Sequence, residues 1–245
     1  MRLSFLVAPY MPKRALLIGI NYKKGRRVLR GCENDVATME KLLTSYQYSV
    51  TKLIGEQATY ANIIAEFTKL LSEAGAGDSL FFQFSGHGNH ILDATHDEID
   101  GYDEYLLTND YYAITDDTLR KLITANLKTD VQLFALFDSC VNGTIFDLKY
   151  NSYLMTSIDI PETASNVFAI SSSTDFQNSL EKQNGDAYEG AGTWAFAQVM
   201  TTNQEPLLLD VVKQMRTLLV SKGFRQYPQL SWGKKIDVDQ FRLVL

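Results

Sequence analysis

A thiol and an imidazole, each delivered by an apolar run, are the side chains in this sequence best suited to covalent chemistry. Cys140 ends the stretch Val131-Gln-Leu-Phe-Ala-Leu-Phe-Asp-Ser-Cys140, and the turn signal Asn142-Gly143 follows. His87 ends Ser79-Leu-Phe-Phe-Gln-Phe-Ser85-Gly-His87 and stands between Gly86 and Gly88. A cysteine nucleophile needs a base to populate its thiolate, and histidine is the usual partner. Of the three histidines, His90 and His96 fall in an acidic loop, which leaves His87 as the base. Gly88 and the backbone N–H of Cys140 are suited to hold an oxyanion, because both follow strand ends. A single strand-end cysteine also reads as a small buried filler, and Gly-His-Gly alone is a weak signal. Together, in this order, they point to one Cys–His site.

That site needs strands beneath it. Short apolar runs ending in turns read as buried strands of a parallel sheet, and open α/β sheets place ligands beyond the carboxyl ends of such strands. Further strands are predicted over 14–20, 49–54 and 166–171. Helices are predicted over about 34–46, with Asn34 as cap, over 59–74, and from Ile114 to Leu127 with Thr115 as N-cap. Two more are predicted over 193–200 and 207–221, with a terminal strand or strands after Lys222. Tyr105-Leu-Leu107 reads as a short strand within the acidic loop 89–110, and 172–192 as a long polar loop. Strands alternating with helices favour a mostly parallel sheet with helices on both faces.

Composition narrows the function classes. The chain has 245 residues, 45% of them hydrophobic and 21% charged, as expected of one globular α/β domain over 1–245 with residues 1–13 as a short arm. The net charge of −6 lacks the basic bias of a nucleic-acid binder. No segment is long and apolar enough to span a membrane. Two cysteines, Cys32 and Cys140, suggest reduced thiols and a cytoplasmic setting rather than a disulfide framework. Nine acids lie between Asp93 and Asp117 with no Lys or Arg among them.

Phe84-Ser-Gly-His-Gly88 followed by Asp138-Ser-Cys140-x-x-Gly-Thr144 resembles the metacaspases, caspase-like cysteine peptidases of clan CD. The 53-residue separation of His87 and Cys140 is near the roughly 50 of the caspase order. Arg14 to Tyr22, Leu29-Arg-Gly-Cys-Glu-Asn-Asp35, Asp100-Gly-Tyr-Asp-Glu104, Ile114-Thr-Asp-Asp117 and Tyr227-Pro-Gln-Leu-Ser231 are similar to further family patterns. The resemblance implies a caspase-like three-layer α/β sandwich, a monomer, and cleavage of protein or peptide substrates after Arg or Lys.

It also implies site residues. Cys32, Asp35, Ser85 and Asp138 would form the S1 pocket. Asp138 shares a strand face with Cys140 by the two-residue period, and Ser85 with His87. Read without the resemblance, Asp35 is a helix cap and Cys32 core packing. Calcium is the implied cofactor, a hard cation that takes carboxylate oxygens. Asp103, Asp116, Asp117 and Asp147 match its positions, and Asp100 is a further candidate. Otherwise those acids read as a solvated loop and a helix start.

The sequence departs from the family after the nucleophile, where His-Ser is replaced by Val141-Asn142. A minimal single-chain form is expected, with Lys149 and Lys182 as candidate self-cleavage points. Rival readings are an aspartate-specific caspase, whose pocket would draw on Arg26, Arg27 and Arg30, and a calcium-regulated binding module with a decayed cleft.

Overall fold

The computed structural model describes residues 11–23, 28–92, 101–140, 144–152, 156–157, 159–173, 181–184 and 187–245. The arm up to residue 10, Arg26, Arg27, His96, Asp100 and Val141-Asn142 lie outside them.

Five strands form the parallel part of the sheet: β1 (Lys13–Gly19), β2 (Ser49–Ile54), β3 (Ser79–Ser85), β7 (Gln132–Asp138) and β10 (Asn166–Ser171). Antiparallel β13 (Gln229–Trp232), β8 (Tyr150–Asn151) and β9 (Thr156–Ser157) complete it. The order is β2-β1-β3-β7-β10-β13-β8-β9. The chain leaves β1 toward β2 on one side and returns to β3 on the other, so the order reverses between β1 and β3. At such a reversal the loops diverge and leave a crevice at the carboxyl edge.

Strand alternation builds two apolar layers. Phe82 points to one face and Phe81 to the other. The Phe82 face carries α2 (Tyr60–Ser72) and α3 (Asp116–Asn126), with the Phe67 and Phe146 rings tilted against Phe82. The Phe81 face carries α1 (Cys32–Ser45), α4 (Ala191–Thr202) and α5 (Leu208–Ser221), with Phe134 and Phe196 meeting Phe81. Each fully buried ring or aliphatic chain contributes about 1.5–3 kcal/mol relative to exposure. The expected three-layer α/β sandwich is what forms.

Several expectations need correction. Asn34 does not cap α1: the helix starts at Cys32 after Gly31, and the Asn34 amide donates to the Tyr188 carbonyl. The segment around the acidic loop holds a three-stranded antiparallel sheet of β4 (Gly88–Leu92), β5 (Tyr102–Leu107) and β6 (Ala113–Thr115). Ile114 therefore belongs to β6, and α3 begins after it, with Thr115 capping through Thr118 N–H as expected. Part of the supposed loop 172–192 is a hairpin, β11 (Glu181–Asn184) against β12 (Ala187–Gly190). Its strands are too polar to announce themselves by an apolar period.

Candidate active site

β3 and β7 are parallel neighbours with Ser85 opposite Asp138. His87 and Cys140 each lie two residues beyond that rung, so adjacent strands deliver them to one edge of the sheet. Both are half-buried, and neither Cys140 nor Cys32 is in a disulfide. Gly88 holds the two loops together: a β-carbon there would stand 2.3 Å from the Cys140 carbonyl oxygen. Only a glycine permits that approach, and it sets the Gly88 backbone against Cys140.

Beside this pair lies a buried acidic cluster. Gly19, Ser85 and Asp138 are aligned on adjacent strand ends. A β-carbon at Gly19 would meet the Cys32 carbonyl at 2.3 Å, so the bare glycine lets the start of α1 lie on the sheet edge. That contact brings in Cys32 and Asp35, which are 5% and 1% exposed. The Asp35 carboxylate accepts the Gly190 N–H at 2.7 Å, and the Asp138 carboxylate accepts the Thr193 N–H at 2.7 Å. A β-carbon at Gly190 would fall 2.2 Å from Asp138 Oδ2 and 2.7 Å from Asp35 Oδ2. The two carboxylates therefore meet across one glycine.

Burial, and then the neighbouring Asp138 carboxylate, push Asp35 well above the usual carboxylate range. The Gly190 N–H and the Ser85 hydroxyl pull it back in part. The charged groups acting on Asp35 are Asp138 and Glu189, both acids. Two buried like charges raise each other's cost, and a cation placed between them relieves it. The arrangement is chemically suited to a guanidinium or ammonium, which a carboxylate fork binds with charge-assisted hydrogen bonds. Cys32, Asp35, Ser85 and Asp138 are thus brought together.

The hairpin β11–β12 packs against this cluster through β12. Tyr188 packs under the Arg30 guanidinium at 5.1 Å, and Glu189 accepts the Thr38 hydroxyl at 2.9 Å. Asp138 also acts as the side-chain cap of α4, whose own N-cap, Gly190, has none. The acid cluster and the helix start are one structure.

The four aspartates matched to calcium are not brought together in the same way. Asp116 gives Oδ2 to the Glu104 N–H at 2.6 Å and Oδ1 to the Asp117 N–H at 2.7 Å. Asp117 pairs with Lys121 at 3.1 Å, one turn on. Asp147 has φ of 44°, and it lies near Arg120, whose guanidinium is shifted down by burial with Asp147 offsetting part of that shift. Asp103 is buried in β5, opposite Ile91. Among the described residues no group of three or more His, Cys, Asp or Glu side chains could hold a metal ion.

Of the candidate self-cleavage points, Lys149 donates to the Ile160 carbonyl at 2.8 Å, and Lys182 lies in β11. Sequence reasoning missed three contributors. Tyr22 stacks on His87, Gln83 donates to Ser85 Oγ at 2.7 Å, and the α4 start binds both pocket acids. A buried glutamine inside an apolar strand was the one available signal for Gln83.

A family model described as metacaspase, peptidase C14 domain, matches residues 13–149. The chain is 30% identical to Metacaspase-1 of Meyerozyma guilliermondii, across 93% of this chain and 71% of that one. It is 28% identical to Metacaspase-1 of Schizosaccharomyces pombe, across 93% and 68%. In three dimensions it is similar to a crystallised protein of Geobacter sulfurreducens, with TM-score 0.70 and 22% identity over 94% of this chain and 97% of that one. It is also similar to the Drosophila initiator caspase Dronc, with TM-score 0.58 and 12% identity over 94% and 82%. The structural likenesses carry the fold, which is caspase-like.

Proposed function

The chain belongs to the metacaspase family of cysteine-type endopeptidases, peptidase C14, and from that premise we propose that it cleaves protein or peptide substrates after Arg or Lys, using Cys140 and His87. The observation that carries the specificity is the buried Asp35–Asp138 pair at the sheet edge that also presents Cys140. Arg30, the described candidate for binding an acidic P1 residue, is exposed and stacks on Tyr188. Among the described residues this leaves acids beside Cys140, which supports the basic P1 reading over the aspartate-specific one.

In the proposed reaction the Cys140 thiol gives its proton to the His87 imidazole, and the thiolate attacks the carbonyl carbon after the basic residue. The tetrahedral oxyanion is held by the N–H groups of Gly88 and Cys140. His87 then protonates the leaving amine, and water hydrolyses the acyl-enzyme with His87 again as base. The support for this assignment is the strand-end position of both side chains and the close fit of Gly88 on Cys140.

Three further readings belong to the proposal. Monomeric action rests on the family resemblance alone. A reducing, cytoplasmic setting is supported by two free thiols. No described helix is long and apolar enough to cross a membrane. Calcium dependence rests on the family resemblance and the acid-rich segment alone. The described aspartates, Asp103, Asp116, Asp117 and Asp147, do not form a metal cage, and the chemical steps above do not depend on calcium.

Peptides with Arg, Lys and Asp at P1, each carrying a fluorophore, test the proposal with and without calcium. Release from Arg and Lys peptides, lost in Cys140→Ala, is expected. Preference for the Asp peptide would overturn the pocket assignment. Full activity in excess chelator would remove calcium from the reading.

A further inference from the structure

We propose that Tyr22 is a positioning residue for the His87 imidazole, holding the ring in the orientation in which it can take and return the thiol proton. This rests on the Cys140–His87 reading above. Tyr22 lies three residues past β1, at the point where the strand order reverses. Its φ is 51°, a left-handed conformation that a non-glycine residue keeps only where its surroundings hold it.

Those surroundings include a closed set of contacts with His87. The Tyr22 hydroxyl accepts the His87 backbone N–H at 3.0 Å and donates to the Leu107 carbonyl at 2.5 Å. Leu107 N–H in turn donates to the His87 carbonyl at 3.0 Å. The phenol oxygen therefore completes one rung between the histidine loop and β5. The Tyr22 ring stacks on the imidazole, with centroids 4.5 Å apart and planes at 30°.

Gly86 makes room for this. A β-carbon there would stand 2.8 Å from both the Tyr22 hydroxyl and Phe84 Cζ. Gly86 is thus required by the tyrosine, and Gly88 by the cysteine. Tyr22 is 3% exposed, and burial, with smaller contributions from Cys32 and Tyr111, keeps its phenol neutral far into alkali. Only the neutral phenol can both donate and accept.

Across the sheet the order β1-β3-β7 places His87 between the strand that bears Tyr22 and the strand that bears Cys140. By that order Tyr22 braces the imidazole from the side of the β1 strand, opposite the strand that bears Cys140. When it takes the thiol proton, the resulting imidazolium faces a neutral aromatic ring, a favourable cation–π contact. When it gives the proton to the leaving amine, the same ring keeps its plane unchanged. Tyr22 itself exchanges no proton with the substrate, so its effect runs through His87.

The test compares Tyr22→Phe, which keeps the ring and loses the bridge, with Tyr22→Leu, which loses both. Each is measured for kcat, KM, melting temperature and the rate at which iodoacetamide alkylates Cys140, with His87→Ala and Cys140→Ala alongside. Misplacing a catalytic group by about 1 Å can cost on the order of 100-fold in rate. Tyr22→Leu is expected to lose about that much in kcat with KM unchanged, and its Cys140 alkylation should slow toward the His87→Ala rate. Tyr22→Phe should recover roughly ten-fold of the loss through the retained stack. Parent-like kcat and alkylation in Tyr22→Phe, or an alkylation rate unmoved in a folded Tyr22→Leu, would overturn the proposal while leaving an inactive His87→Ala intact. A His87→Ala variant as active as the parent would instead sink the dyad reading, and the role of Tyr22 with it.

Discussion

Two acid-rich regions of this molecule look alike in composition and differ in what their carboxylates do. Around the sheet edge, Asp35 and Asp138 are buried together, and the groups that shift Asp35 electrostatically are acids. Around the start of α3, Asp116 and Asp117 are adjacent in sequence, but their oxygens are committed to N–H groups of Glu104 and Asp117 and to Lys121. On the proposed function, the first region stores a demand for a cation that a basic substrate side chain would meet. The second spends its charge on helix start and fold. Acid count alone does not separate a binding pocket from a scaffold; the partners of each oxygen do.

The largest expected effect breaks the first region. Asp138→Ala should lower kcat/KM for Arg peptides by at least about 1,000-fold, since it removes a carboxylate worth several kcal/mol to a buried cation. It should also weaken the α4 start, because Thr193 N–H loses its acceptor. Asp138→Asn separates the two effects: it keeps a side-chain acceptor for Thr193 and loses the charge. A parent-like preference for Arg in Asp138→Asn would show that the pocket lies elsewhere.

Next in size is the pH response of Asp35. Its carboxyl is raised by burial and by Asp138, so the folded chain holds a proton there more firmly than the unfolded chain does. The stability this adds is fully present below the ordinary carboxylate value and is lost as pH rises through the raised one. A basic P1 residue favours the ionised form, so binding releases a proton. KM for an Arg peptide should therefore rise as pH falls toward the carboxylate range from above. In Asp35→Asn that dependence should flatten, with kcat/KM down by roughly 100-fold. A KM profile identical to the parent's would exclude Asp35 from the pocket.

Much of the first region was legible in sequence, and the reason is geometric. The period of β7 puts Asp138 on the side of Cys140, and the apolar runs of β3 and β7 announce both strand ends. The family motif supplied Asp35 and Cys32, which no local rule could have joined to Asp138. Their meeting depends on Gly19 and Gly190, whose missing β-carbons let α1 and the α4 start close on the edge. Such glycines look like ordinary turn residues until the partner is known. The hairpin β11–β12 was hidden by its polar strands, and Tyr22 by an ordinary-looking end to β1. The second region misled in the opposite sense. Its aspartates match metal positions by motif, while Thr115, Asp116 and Asp117 read equally well as a helix start.

A smaller effect tests that helix-start reading. Asp116 is 1% exposed and accepts two backbone N–H groups. Asp116→Ala leaves both without their acceptor, at a cost of about 2 kcal/mol of stability. The relative rates on Arg, Lys and Asp peptides should not change. Denaturant unfolding and the P1 comparison on the same preparation check both halves. A change of P1 preference at unchanged stability would tie the second region to the first.

The smallest effect distinguishes scaffold from metal site most sharply. Asp117 pairs with Lys121 four residues on, at the helix surface. Such pairs contribute about 0.3–0.5 kcal/mol, so Asp117→Asn should barely move the unfolding midpoint. As a scaffold residue, it should also leave unchanged any rise in activity or melting temperature that calcium produces in the parent. A calcium ligand behaves in the opposite way, because losing a carboxylate weakens binding of a hard cation far more than it weakens one helix turn. If Asp117→Asn kept its stability and lost the calcium response, the pairing with Lys121 would be one state of a segment that calcium rearranges. The contrast between the two acid regions would then be one of timing, with the pocket assembled beforehand and the cage assembled by its ion.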